Sequence, residues 1–204
     1  MSAPVLYLAS RSPRREQLLR QLEIEFETLL LREAAGRERD VVEEAEDAEP
    51  PQHYVERIAR TKAQVGWQRM QSRKLAERPV VGADTEVVLD GEIFGKPRNV
   101  DDAMRMLKRL SGRTHQVLTA VALCHHDRTD VEVSITRVTL RRLGAAEIAR
   151  YAATGEPLDK AGAYAIQGCA AAFVARLEGS YTGVVGLPLY ETASLLTGAG
   201  ITVL

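Results

Sequence analysis

Residues 80–97 read VVGADTEVVLDGEIFGKP, and the rest of the chain is organised around this stretch. Val80 and Val81 are β-branched and apolar, as in a buried strand, and Gly82-Ala83 lets another backbone come close. Asp84 then places a carboxylate where that buried run ends. Residues 86–89 form a second strand piece, and Asp90-Gly91 is the strongest two-residue signal for a hairpin turn. The return strand carries Gly95-Lys96-Pro97, and hairpin geometry folds Lys96 back toward the Asp84 end of the first strand. A carboxylate and a lysine on one rigid hairpin suit holding a metal ion beside an anionic oxygen. Taken alone, the hairpin is equally compatible with an Asp that caps a turn and a Lys left in solvent.

Upstream, residues 5–9 predict a short buried strand, followed by SRSPRR at residues 10–15 and a helix with leucines at 18, 19 and 22. Ser12 is a natural N-cap and Pro13 a natural first helical residue. Ser10, Arg14 and Arg15 therefore gather at a helix N-terminus, a ready anion site. Arginines in a first turn oppose the helix macrodipole, so their presence favours a compensating phosphate over a solvated pair. Residues 26–31 predict a second strand, ending in Arg32-Glu33. Residues 38–49 are acidic and read as a surface loop without a function. Residues 54–70 predict a helix carrying Lys62, a residue type that on helices is mostly exposed.

Downstream, Asn99 caps a helix with Asp102 at its third position, and Ser111-Gly112 ends it. Residues 116–124 and 131–140 read as strands, and 145–154 as a helix stopped by Gly155. EPLDKAGAYAIQG at residues 156–168 is a polar constellation containing Asp159, Lys160 and Gln167. The Gln167 amide can read a nucleobase edge or serve as a core hydrogen-bond plug. A strand at 173–177, a loop at 179–183 and a closing helix at 187–197 complete an α/β pattern. The strands can build an extended antiparallel or mixed sheet.

The 204 residues carry 27 Lys plus Arg against 28 Asp plus Glu, so no global basic field exists and a nucleic-acid-coating role is disfavoured. Any anionic partner must meet a local cluster of cations. The length supports one large domain or two closely joined lobes within residues 1–204. Cys124 and Cys169 share no metal-ligand spacing and suggest no disulfide framework. The opening MSAPVLYLAS is too short an apolar run for a signal peptide, and no window reaches membrane-spanning length. The expectation is a soluble cytoplasmic protein with no membrane partner.

Six segments together resemble the Maf family of nucleoside triphosphate pyrophosphatases over essentially the whole chain. They are SRSPRR, GADT at 82–85, DGEIFGKP at 90–97, SGRTHQVLTAVAL at 111–123, EPLDKAGAYAIQG, and EGSYTGVVGLPLYET at 178–192. The resemblance implies a mixed α/β fold like that of inosine triphosphate pyrophosphatases. A curved sheet with flanking helices forms two lobes around a nucleotide cleft, often in a homodimer. It implies hydrolysis of a nucleoside triphosphate to monophosphate and pyrophosphate with a divalent metal, Mg²⁺ or Mn²⁺. On matching positions, Asp84 is the general base or metal-holding carboxylate and Glu33 a second metal ligand. Lys62 and Lys96 assist at the triphosphate, which Ser10, Arg14 and Arg15 also contact, and Asp159 and Lys160 share the cleft. Arg32 replaces the acidic residue that usually precedes Glu33.

Thr85 after the key aspartate, with Gln167 in IQG and Arg14 in SPRR, resembles the subgroup acting on dTTP and UTP. The amide of Gln167 can pair with the imide edge of thymine or uracil. That subgroup implies a house-cleaning role against modified pyrimidine nucleotides. The competing readings are a 7-methylguanosine triphosphate or broad-specificity pyrophosphatase, and a non-catalytic nucleotide-binding regulator of cell division.

Overall fold

The computed structural model describes residues 5–32 and 40–203. Among them, seven strands form one mixed sheet flanked by helices. Strand β1 (Leu6–Leu8) leads to helix α1 (Pro13–Arg20), and β2 (Phe26–Thr28) precedes the long helix α2 (Pro51–Ser72). The central strand β3 (Val80–Leu89) turns into β4 (Glu92–Phe94), followed by α3 (Val100–Leu110). The long pair β5 (Thr114–His125) and β6 (Arg128–Leu140) leads to α4 (Ala145–Ala153) and three 3₁₀ turns. Then come β7 (Val174–Glu178), α5 (Tyr181–Val185) and α6 (Leu189–Gly198). No helix among the described residues is long and apolar enough to cross a membrane.

The sheet order is β2-β1-β3-β5-β6-β7, with β4 paired to β3. Strand β1 runs parallel to both β2 and β3, while β3, β5, β6 and β7 are antiparallel in succession. The two predicted strand pieces of the hairpin are one continuous strand. Its turn forms as the Asp-Gly signal requires: Asp90 has φ 54° and Gly91 φ 81°, setting Leu89 opposite Glu92. Two positive φ values mark the primed turn whose twist matches the flanking strands.

One edge of β3 creates the cleft. Strand β1 pairs only with Val80 and Val81, and β4 pairs only from Val87 onward. Between them, residues 82–86 have no strand neighbour on that edge among the described residues. On the other edge, β5 pairs with β3 continuously from Val80 through Val88. The result is a notch in the sheet, open at the carboxyl end of β1.

Helix α2 packs on the β3 face that carries Val80 and Val88, burying Ile58, Ala59, Ala63 and Trp67. Gly82 permits that approach. A Cβ there would sit 2.6 Å from both the Ala59 carbonyl oxygen and the Ala63 nitrogen. The opposite face buries Val81 and Ala83 with Leu18 and Leu19 of α1, and Val87 and Leu89 with α3.

Several sequence expectations shift. Ser12 occupies the N-cap of α1, but its side chain makes no capping bond; its backbone N–H instead donates to Ser10 Oγ at 3.1 Å. Asn99 does cap α3, accepting from the Asp102 N–H at 2.9 Å. The stretch read as a loop at 179–183 overlaps the short helix α5, which Ser180 caps by accepting the Gly183 N–H on its Oγ at 2.9 Å. The closing helix starts at Leu189 rather than 187, with Pro188 at its N-cap.

Candidate active site

The notch opens into a cleft of about 650 Å³. It is walled by the β1–α1 turn, α2, β3, the segment after β4, and the residues between α4 and β7. Ten of the sequence-predicted site residues line it: Ser10, Arg14, Arg15, Lys62, Asp84, Thr85, Lys96, Asp159, Lys160 and Gln167. Glu33 lies outside the described residues. Among the described residues, seven arginines and lysines line the cleft against four carboxylates, so a near-neutral chain carries a locally cationic pocket.

Strand periodicity divides the chemistry between two faces. Asp84 and Glu86 point to the α2 side, and Thr85 points to the α1 side. Lys62, one turn from the Ala59–Gly82 contact, donates to Asp84 Oδ1 at 2.8 Å. Both side chains are largely withdrawn from water, 13% and 9% exposed. Helix lysines are mostly exposed, but the close α2–β3 approach carries Lys62 into the cleft, where the family resemblance placed it.

Lys62 also meets Glu43 at 2.6 Å. The acidic loop, read as having no function, therefore places one carboxylate in the cleft. Burial alone would raise the Glu43 pKa, but the Lys62 charge and hydrogen bond, aided by Lys96 and Arg15, bring it below the ordinary value. Glu86 behaves oppositely. Burial, reinforced by the charges of Asp84 and Glu43, pushes its pKa up to about 8. Sequence reading missed both residues. Glu86 had a legible signal, two positions from Asp84 on a strand; Glu43 had none, being one acid among many.

On the other face, Arg15 Nε donates to the Gly186 carbonyl at 2.8 Å and Nη2 to Thr85 Oγ1 at 3.2 Å. Thr119 Oγ1 in turn donates to the Gly183 carbonyl at 2.7 Å and lies within hydrogen-bond distance of Thr85 Oγ1, at 3.1 Å. Burial lowers the Arg15 pKa, partly offset by Asp84 and Glu43. Arg15 thus ties α1 to β3 and to the end of α5 while presenting its charge to the cleft.

The far wall carries Asp159, which pairs with its neighbour Lys160 and with Arg14 Nη1 at 3.3 Å. This bridge spans the cleft from the β1–α1 turn to the segment after α4. Tyr164, buried and lining the cleft, pairs with His115 Nε2 at 2.7 Å. Gln167 is exposed at the mouth, on a segment held by Tyr151 and Glu156.

The chain from residue 5 to 199 matches the family model described as Maf-like protein. It belongs to the Maf family. A dTTP/UTP pyrophosphatase of Aromatoleum aromaticum is 54% identical over 196 residues, covering 96% of this chain and 95% of that protein. A dTTP/UTP pyrophosphatase of Nitrosomonas europaea is 52% identical over 198 residues, covering 97% and 96%. Among solved structures, the Staphylococcus aureus Ham1 protein is a distant likeness, at TM-score 0.43 and 12% identity over 66% of this chain and 71% of its own.

The donor chemistry of this Maf cleft suits a hard divalent cation. Asp84 Oδ2 and Glu86 Oε2 are buried oxygens with no hydrogen-bond partner among the described residues. No set of three or more His, Cys, Asp or Glu there has metal-holding geometry. A Mg²⁺-type ion needs no such set, since one or two carboxylates with substrate phosphates and water suffice.

Proposed function

We propose that this Maf-family chain hydrolyses dTTP and UTP to the nucleoside monophosphate and pyrophosphate, in the cytoplasm and with Mg²⁺ or Mn²⁺ bound. The observation that carries the reading is the state of Asp84. One of its oxygens is fixed by Lys62, and the other is buried, unpartnered and borders a cleft rich in cations. A carboxylate so held can orient a water and take its proton, while the surrounding guanidinium and ammonium groups neutralise a polyphosphate. The names of relatives at 52–54% identity support the same substrate class.

Each group has a role in this reading. Asp84 Oδ2 orients the attacking water toward the α-phosphorus and accepts its proton. Lys62 keeps Asp84 in one rotamer. Arg14, Lys96 and Lys160 bind the phosphate oxygens and stabilise the charge on the departing pyrophosphate. Arg15 adds charge and holds Thr85 in place. Ser10 offers a hydroxyl at the phosphate-facing turn. Gln167, at the mouth, pairs with the imide edge of the pyrimidine. A divalent cation in the cleft, with Asp84 among its ligands, would supply Lewis-acid neutralisation of the phosphates.

The test is incubation with Mg²⁺ or Mn²⁺ and dTTP, UTP, CTP, 5-methyl-UTP and 7-methylguanosine triphosphate, with chromatographic identification of products. Monophosphate and pyrophosphate from dTTP and UTP are expected. Diphosphate and inorganic phosphate would overturn attack at the α-phosphorus, and preferential turnover of 7-methylguanosine triphosphate would overturn the Gln167 assignment.

A further inference from the structure

Asp84 and Glu86 are two residues apart on β3, so both side chains leave the same face of the strand. Each has one buried oxygen, Asp84 Oδ2 and Glu86 Oε2, without a hydrogen-bond partner among the described residues. The Asp84 side chain is only 9% exposed and lines the cleft. Buried acceptors left unpaired are rare, and two on one strand face call for a shared electrophilic partner.

The nearby cations leave that place open. Lys62 is already committed to Asp84 Oδ1 and to Glu43. Glu43 differs from the β3 pair, because it is half-exposed and its carboxylate is taken by Lys62. The hairpin register that sets Val87 opposite Phe94 brings Gly95 opposite Glu86. Gly95 leaves room there, since even an added Cβ would first meet Glu86 Oε2 at 4.0 Å. Two unpartnered hard oxygens on one strand face, the second beside open space, near groups suited to phosphate, match how a small divalent cation is held.

We propose that Glu86 is a direct ligand of the divalent cation together with Asp84, so that one face of β3 supplies a two-carboxylate platform. The proposal rests on the reading that the cleft works with a divalent cation. The two ligands then act as one site: Lys62 holds Asp84 Oδ1, the two lone pairs of Asp84 Oδ2 serve the cation and the attacking water, and Glu86 gives its free oxygen to the cation alone.

The experiment is titration with Mn²⁺, followed by calorimetry and by the paramagnetic relaxation of water protons. It is run on the full chain and the Glu86→Gln, Glu86→Asp and Asp84→Asn variants, each with and without the non-cleavable α,β-methylene-UTP. Glutamine keeps the size but replaces one oxygen with an NH2 group and removes the charge, and circular dichroism checks that each variant is folded. The expected result is one Mn²⁺ per chain, weakened tenfold or more by Glu86→Gln and by Asp84→Asn, with partial recovery in Glu86→Asp. Wild-type affinity in Glu86→Gln, with and without the analogue, would overturn the ligand role while leaving the cation reading intact. No Mn²⁺ bound by the wild-type chain in either condition would overturn both.

Discussion

Lys62 Nζ lies 2.8 Å from Asp84 Oδ1, joining helix α2 to strand β3 across 22 positions of sequence. The contact is possible because Gly82, two residues before Asp84, lets the helix backbone touch the strand. Fold and chemistry are therefore coupled at one place. The helix that packs the core also fixes the carboxylate.

Asp84→Asn should remove catalysis and leave the fold. The amide oxygen can still accept from Lys62, so the α2–β3 tie persists, but no group remains to take the proton from water. Loss of a positioned base lowers kcat by about 10²–10⁴-fold. Initial rates of pyrophosphate release, with circular dichroism as the folding control, check this. Near-full activity in the variant would refute the base role.

Gly82→Ala should damage stability and activity together. Its Cβ would lie 2.6 Å from two backbone atoms of α2 and 3.0 Å from Lys62 Cβ. No side-chain rotation relieves a clash with backbone, so the helix must move outward. Overpacking of this kind destabilises by roughly 1–3 kcal/mol. Urea denaturation should report that loss, and kcat should fall because Lys62 moves with the helix. Ala83→Gly, at the next position of the strand, adds no atom and should not move α2.

Much of this was legible because local rules dominated. Asp90-Gly91 forms its turn whatever surrounds it, and Asn99 caps α3 from three residues away. Asp84 and Lys96 share the cleft because hairpin geometry puts them there. Tertiary contacts were not legible in the same way. Nothing local to Lys62 distinguishes it from a surface lysine; its placement follows from backbone contact at Gly82. Glu43 is one carboxylate within an acidic loop, selected only by where that loop passes Lys62. The notch itself comes from the shortness of β1 and β4, and strand ends are poorly marked by composition.

His115 should make the protein acid-sensitive. It is 2% exposed, and burial lowers its pKa to about 4. The unfolded chain has an ordinary histidine near 6.5, so between these values it binds more protons than the folded one. Stability contributed by neutral His115 is present above pH 6.5 and is lost as pH falls toward 4, on the order of 3 kcal/mol. His115→Gln keeps a partner for Tyr164 and removes the titration. Urea midpoints measured at pH 4.5 and pH 7 should differ less in the variant than in the wild type.

Tyr151 should control substrate affinity without touching substrate. Its hydroxyl donates to Glu156 Oε1 at 2.9 Å and accepts the Ala165 N–H at 3.1 Å. Glu156 Oε2 in turn accepts the Cys169 N–H at 3.2 Å. These ties lie on either side of Gln167 and fix the segment that presents its amide. Tyr151→Phe removes the hydroxyl alone, leaving the edge-to-face ring contact with Phe173, whose centroid is 5.1 Å away. The loss of hydrogen bonds worth about 1 kcal/mol each should raise KM for UTP roughly 5- to 30-fold. The value of kcat should hold, because Asp84 and Lys62 stand on other elements. Gln167→Ala should raise KM in the same way. If Tyr151 acts by positioning Gln167, the double variant should resemble Gln167→Ala alone. Additive effects on KM would mean that the two residues act independently.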